Sequence, residues 1–132
     1  MTVALNHTIV HSRDPQRSAA FMADILGRPK PVRFLHFHVV ELDNSVTLDF
    51  IQTGEVVLKE HYAFLVGEQD FDEILQRIVE RRLPYWADPG HQQPGVINHY
   101  FGGRGVYWDD PDGHVLEIIT KPYAVKDDGD QG

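Results

Sequence analysis

A chain of 132 residues with 42% hydrophobic residues is long enough for one domain with a core of its own. Twelve lysines and arginines against twenty aspartates and glutamates give a net charge of −8, which argues against nucleic acid or an anionic membrane as a partner. The absence of cysteine excludes disulfides, thiol nucleophiles and zinc–thiolate sites, so a metal site would have to use carboxylates and the eight histidines.

The first half of the chain has the pattern of a strand, a helix and two more strands. β-Branched residues are frequent in the opening segment, as they are in strands. Asp14 is a natural helix cap, Pro15 suits the first helical position and Gly27 suits the position just past the end. The predicted elements are strand 3–11, helix 15–26, strand 33–42 and strand 45–52.

After Gly54 the same order of elements begins again. Apolar residues recur at helical spacing from Phe71 onward and predict an amphipathic helix over 69–84, with Asp70 as its cap. The other predicted elements are strands 59–67, 84–88, 104–110 and 114–120, with a long loop at 88–102. We therefore divide the chain into a first module (1–54), a second module (55–121) and a charged, glycine-rich tail (122–132) that we expect to be disordered.

Four polar residues interrupt strands that are otherwise apolar. His7 and His61 lie in the first strand of each module, and Asp49 and Glu117 lie in a later strand of each. An unpaired carboxylate in a dry interior is costly, so Glu117 would have to take up a proton or find a partner. A pseudo-twofold axis between the modules would bring all four side chains toward one place.

Two segments carry a resemblance to a known superfamily. NHTIVHSRDPQRSAAFMADILG (6–27) and GRGVYWDDPDGHVLEI (103–118) resemble the vicinal oxygen chelate superfamily, and the likeness extends over about 3–121. That superfamily includes glyoxalase I, extradiol dioxygenases, fosfomycin-resistance transferases and bleomycin-binding proteins. The resemblance implies an α+β fold in which two paired βαβββ modules form a cup-shaped sheet, with helices outside and a divalent metal on the floor of the cup.

The same resemblance implies that His7, His61 and Glu117 are the metal ligands. Two imidazoles and one carboxylate suit Fe(II), which we favour, and also accept Mn, Ni, Co or Zn. Residue types alone do not settle this, because histidines can instead be hydrogen-bonded inside a core. His36 and His38 face the same way on one strand and could chelate a metal, but we expect a solvated or cup-lining face. His114 is expected to cap or pack on the 109–113 turn.

The end of the chain also resembles the extradiol dioxygenase signature. The pattern has Ile97-x-His99, then Val106-Tyr107, then Asp110-Pro111-x-Gly113 and finally Glu117. It implies that His99 hydrogen-bonds bound oxygen or substrate and that Tyr107 orients a metal-bound hydroxyl. We therefore expect an extradiol-type dioxygenase that acts on a small, catechol-like aromatic through bidentate oxygen chelation.

Two departures weaken the dioxygenase interpretation, and two alternatives remain. The acid–base histidine that those enzymes carry late in the first module is missing, and most of them contain two pairs of modules. The first alternative is a glyoxalase-like lyase or isomerase with Asp49 as a fourth ligand. The second is a bleomycin-resistance-like protein that binds an aromatic drug without chemistry, in a cup lined by Phe34, Phe37, Phe50, Tyr100, Phe101 and Trp108.

Four residues are candidates for contact with the substrate. Phe50, Tyr100 and Trp108 could line the cup, although packing in the core would explain Tyr107 and Trp108 equally well. Arg104 could bind an anionic group of the substrate or pair with a surface carboxylate.

No stretch approaches the roughly 18 apolar residues that cross a bilayer, and we see no signal peptide. We expect a cytoplasmic homodimer that binds a small molecule, without nucleic acid or membrane.

Overall fold

The computed structural model describes residues 2–125 and has two helices and two β-sheets in that range. The elements are β1 (His7–Ser12), α1 (Pro15–Leu26), β2 (Val32–Phe34), β3 (Phe37–Glu41), β4 (Thr47–Gln52), β5 (His61–Leu65), α2 (Glu68–Glu80), a short 3-10 helix (Tyr100–Gly102), β6 (Gly105–Asp109) and β7 (Val115–Ile119). None of the helices in this range is long and apolar enough to cross a membrane.

Each module forms its own mixed sheet. The first sheet has the strand order β1-β4-β3-β2 and the second has the order β5-β7-β6. In both sheets the opening strand pairs in parallel with the last strand of the module, and the remaining pairs are antiparallel. This arrangement confirms the predicted α+β class and the repeated order of elements.

The two helices begin for different reasons. The Asp14 carboxylate accepts a hydrogen bond from the Arg17 N–H, and Gly27 ends α1 with a φ of 69°, as predicted. The prediction that Asp70 caps α2 is wrong, because that helix already begins at Glu68, after Gly67. Asp70 instead lies in the first turn of α2, where the positive end of the helix dipole favours a carboxylate.

Three predicted strands differ from the observed ones. Strand β1 begins at His7, whose partner in the ladder is Thr47, the first residue of β4. The segment predicted as one strand over 33–42 is a hairpin, since Leu35 has a φ of 53° and turns the chain between β2 and β3. The predicted strand 84–88 is reduced to isolated bridges made by Trp86, so the second module has one strand fewer than expected.

Both helices pack on one face of the sheets. The buried core combines large side chains from both modules, among them Phe50, Phe71, Met22 and Trp108. Side chains alternate between the faces of a strand, so burying one face leaves the other uncovered by this core. No side chain on the opposite face of the first sheet is fully buried; these residues are His7, Ile9, His11, Val32, Phe34, Phe37, Val39, Glu41, Thr47, Asp49 and Ile51.

The modules are joined through His114, which is fully buried. Its Nδ1 atom accepts a hydrogen bond from the Glu60 N–H at 3.0 Å, and its Nε2–H donates to the His11 carbonyl at 2.7 Å. The side chain therefore satisfies one backbone group of each module, and the ring lies edge-on to Tyr62 at 5.6 Å between centroids. His114 directly follows the 109–113 turn, on which it was expected to pack. It also connects the two modules.

We expect His114→Ala to lower the free energy of unfolding by about 2–4 kcal/mol, because it opens a cavity and removes the hydrogen-bond partner of one backbone group in each module. Urea unfolding at matched protein concentration measures the change. The matched control is His36→Ala, which removes an exposed histidine and should stay within about 0.5 kcal/mol of the parent. Equal stability of the two variants would contradict this role.

The structure describes the first four residues of the predicted tail, 122–132. Residues 122–125 are placed, and Tyr123 contacts side chains of the second module. The rest of the tail, 126–132, lies outside the described residues.

Candidate metal centre

The face of the second sheet opposite the helix-facing core presents His61, Tyr107 and Glu117 together. Ala63 and Tyr107 both pair with Glu117, one from each neighbouring strand, and His61 lies two residues before Ala63 on the same face. Glu117 has no accessible surface, whereas the His61 side chain is 47% exposed. The site therefore joins a buried carboxylate to an imidazole that solvent can reach.

The hydrogen bonds of His61 define which ring nitrogen carries the proton. Its Nδ1 atom lies 3.0 Å from the Val115 carbonyl, which can only accept, so Nδ1 donates. In the neutral ring, Nε2 is then left with a free lone pair. That nitrogen lies 3.0 Å from Oε1 of Glu117.

A lone pair and a carboxylate oxygen repel each other unless something positive lies between them. A second proton on the ring would suffice, and so would a divalent cation. The donor set fits a cation, because two ligands at about 2.1 Å from a metal and at right angles are about 3.0 Å apart. Nδ1–H held by a backbone carbonyl is also the usual arrangement of a metal-binding histidine.

Two tyrosines hydrogen-bond next to this pair. The Tyr123 hydroxyl donates to Oε2 of Glu117 at 2.6 Å and lies 3.3 Å from the Tyr107 hydroxyl. Burial raises the pKa of Tyr107, and its hydrogen bond to Tyr123 and the charge of Glu117 raise that pKa further. Burial also raises the pKa of Tyr123, with Glu117 as the next cause. Both phenols therefore remain protonated at neutral pH and act as donors.

Sequence reasoning missed Tyr123. It lies in a segment assigned to the disordered tail, and its contacts with Glu117 and Tyr107 depend on how the chain returns after β7. A tyrosine next to a charged, glycine-rich stretch was the one signal in the sequence.

His7 lies on the uncovered face of the first sheet and is exposed. Its Nδ1–H donates to the Asn6 side-chain oxygen at 2.7 Å, so its Nε2 also has a free lone pair. Asp49 lies on the same face, where it accepts a hydrogen bond from the Thr47 hydroxyl at 2.8 Å.

Histidine, cysteine and carboxylate side chains form no group of three that could hold a metal within residues 2–125 of one chain. The expectation that His7, His61 and Glu117 converge inside one chain is therefore wrong, whereas their assignment as ligands stays a prediction.

Of the other predicted site residues, two are exposed and two are buried in the core. His99 and Tyr100 are exposed at the start of the 3-10 helix, and the His99 side chain does not cap that helix. Phe50 and Trp108 have no accessible surface and pack in the core, which corrects their assignment to the substrate. They point to the helix side of their strands, a distinction that the composition of the strands does not reveal.

Arg104 pairs with surface carboxylates, the second of its two predicted alternatives. Its guanidinium lies 2.9 Å from Glu68 and 2.7 Å from Asp72, and over the Phe71 ring at 4.4 Å from the centroid. These contacts hold the last hairpin against α2. No group of Arg104 remains directed at the His61–Glu117 pair, so its assignment to an anionic substrate is corrected.

His36 and His38 line an open cavity of about 510 Å³ beside the start of α1. The other lining residues are Asp14, Pro15, Gln16, Arg33, Ile51 and Gln52. The two histidines do not form a metal group with a third ligand among the described residues. His36 lies in the turn between β2 and β3 and His38 lies in β3, so the two histidines do not share one strand as the sequence predicted.

No family model matches the chain. The chain is 28% identical over 132 residues to the glutathione transferase FosA of Serratia marcescens, covering 96% of this chain and 86% of that protein. Among solved structures, the oxidase ChaP-H1 is 59% identical, with a TM-score of 0.91, and covers 94% of this chain and 100% of its own. The oxidase ChaP-H2 is 53% identical, with the same TM-score, and covers 94% of this chain and 98% of its own.

Proposed function

The chain belongs to the vicinal oxygen chelate superfamily of metal-dependent enzymes, and we propose that it is a divalent-metal-dependent oxidase that binds a small aromatic substrate through two neighbouring oxygens. The observation that carries this proposal is the position of the His61 Nε2 atom, 3.0 Å from an oxygen of a fully buried carboxylate. A cation between the two atoms would remove the repulsion that a neutral ring creates and would give the buried carboxylate a partner.

The metal would be held by His61 and Glu117 of one chain and by His7 of a second copy. Each chain carries one of these ligands, His7, on its first sheet and the other two, His61 and Glu117, on its second sheet, in both cases on the face opposite the helix-facing core. A homodimer that pairs the first sheet of one copy with the second sheet of the other would cover both faces and complete two equivalent sites. The resulting donor set, two nitrogens and one oxygen, suits Fe(II) and also accepts Mn, Ni, Co or Zn.

When bound, the metal would supply Lewis-acid stabilisation of negative charge on the substrate oxygens. The protein residues would do the rest. Tyr107 keeps its proton because burial raises its pKa, and its phenol donates to the Tyr123 hydroxyl, which in turn donates to Glu117. His99 and Tyr100 are exposed in the loop before β6, and we assign to them the contact with the outer part of the substrate.

We prefer oxidase activity to thiol transfer because the chain is more similar in sequence to relatives named as oxidases than to a relative named as a transferase. Two relatives named as oxidases are 59% and 53% identical to the chain, whereas FosA is 28% identical. The lyase alternative would need a fourth ligand, and Asp49 is the residue in position for it.

The deciding experiment loads the purified protein with Fe(II) and measures oxygen uptake with a panel of catechols and polyphenols. Parallel samples with Mn(II) and fosfomycin plus glutathione test thiol transfer. We expect oxygen uptake that Glu117→Gln abolishes. Fosfomycin consumption without oxygen uptake would replace the oxidase by a transferase.

We expect Asp49→Ala to leave the affinity for Co(II) within about threefold of the parent, since Asp49 is engaged by Thr47 and a three-ligand site leaves more room for substrate and oxygen. Isothermal titration of the metal-free protein measures the affinity. The control is Asp43→Ala, whose side chain is 90% exposed and pairs with Arg28. A loss of about 10–100-fold or more in the Asp49 variant alone would make Asp49 a ligand and favour the lyase.

A further inference from the structure

Tyr123 is the one described residue beyond β7 whose side chain hydrogen-bonds to the proposed metal centre. Its hydroxyl donates to Oε2 of Glu117 at 2.6 Å, the short distance of a hydrogen bond to a charged acceptor. The residue itself is 42% exposed, although it contacts a carboxylate without accessible surface. Tyr123 therefore reaches from the surface to the buried end of Glu117.

The hydrogen bonds fix a direction through the two tyrosines. A phenol has one hydrogen, so Tyr123 cannot donate to both Glu117 and Tyr107. Since Glu117 only accepts, Tyr107 donates to Tyr123 and Tyr123 donates to Glu117. The pair thus applies two aligned O–H dipoles to one carboxylate oxygen.

The aromatic ring of Tyr123 is held independently of its hydroxyl. It packs on Phe101 with the ring centroids 5.0 Å apart. Phe101 adopts a φ of 57°, unusual for a bulky residue, within the short helix that precedes β6. Removal of the hydroxyl alone should therefore leave the ring in place.

We propose that Tyr123 is a positioning residue that keeps Glu117 a ligand through a single oxygen. The phenol occupies one lone pair of Oε2, whereas Oε1 faces His61 and would be the oxygen nearer to a cation shared with that ring. A cation held by Glu117 through Oε1 alone would leave room for the second oxygen of a chelating substrate. This inference rests on the proposed metal centre and adds to it the residue that reserves room for bidentate binding.

The test uses the full-length protein and the variant Tyr123→Phe, with cobalt(II) alone as the first probe and acetohydroxamate, a two-oxygen chelator, as the second. In the variant, Oε2 is free to turn toward the cation. We expect equal or tighter Co(II) binding by titration, altered intensity of the visible cobalt bands and about tenfold weaker binding of acetohydroxamate to the cobalt protein.

Tyr62→Phe is the matched control, because it removes a tyrosine hydroxyl that donates to the Ile9 carbonyl at 3.3 Å, away from Glu117. It should reproduce the parent in both measurements. Unchanged cobalt bands and unchanged acetohydroxamate affinity in Tyr123→Phe would overturn the role of Tyr123 and leave the metal centre standing. Failure of the parent protein to bind Co(II) would overturn the metal centre and, with it, this inference.

Discussion

Glu117→Gln should abolish tight binding of a divalent cation, with a loss of more than about 100-fold in affinity for Mn(II) or Co(II). Removal of a group that only orients a ligand costs about 10–100-fold, and removal of a charged ligand should cost more. Titration calorimetry of the metal-free proteins measures the affinity. The parent should also gain thermal stability when the metal is added, since a ligand that binds the native state stabilises it, whereas the variant should not.

The glutamine variant should remain folded, which makes the result interpretable. Its amide is the same size as the carboxylate and is neutral, so no buried charge is created. The amide N–H can donate to the free lone pair of His61, and the amide oxygen can still accept from Tyr123. The control is Glu60→Gln, the same chemical change at an exposed residue, which should leave affinity unchanged. Binding by Glu117→Gln within about threefold of the parent would remove Glu117 from the ligand set.

The order of elements followed from local patterns, and capping residues and helical periodicity predicted α1 to the residue. The core faces did not follow from them, since Phe50 and Trp108 were expected to line the cup and pack in the core instead. The boundaries failed where pairing with a distant strand decides them. Strand β1 begins at His7, the residue that pairs with the first residue of β4, Thr47. The predicted strand 84–88 fails because Trp86 forms only isolated bridges.

The site itself was predictable only in part, because its contacts join distant segments. The mismatch between Glu117 and its apolar strand pointed to a buried partner, and His61 was already a candidate. Nothing local links Tyr123 to Glu117, and nothing local decides whether Arg104 turns toward a substrate or toward α2. Symmetry between the modules suggested that His7 joins the same site, but a sequence pattern does not specify which copy of the chain supplies it.

A heterodimer of two inactive variants should recover metal binding if the site spans two copies. His7→Ala and Glu117→Gln should each bind metal poorly as homodimers. In a dimer of one His7→Ala chain and one Glu117→Gln chain, one site receives both defects and the other receives neither. Co-expression with two different affinity tags and sequential purification isolates this species. We expect about half the parental metal stoichiometry at parental affinity.

The reciprocal heterodimer makes the comparison decisive. It joins an unmodified chain to a chain that carries both His7→Ala and Glu117→Gln. If the ligands came from one chain, the unmodified chain would keep a complete site and bind about half the parental amount of metal. If they come from two, each site lacks one ligand and tight binding disappears. We expect the second result, because one chain places His61 beside Glu117 but brings no third histidine or carboxylate to them among residues 2–125. The opposite pattern in the two heterodimers would place His7 in the site of its own chain.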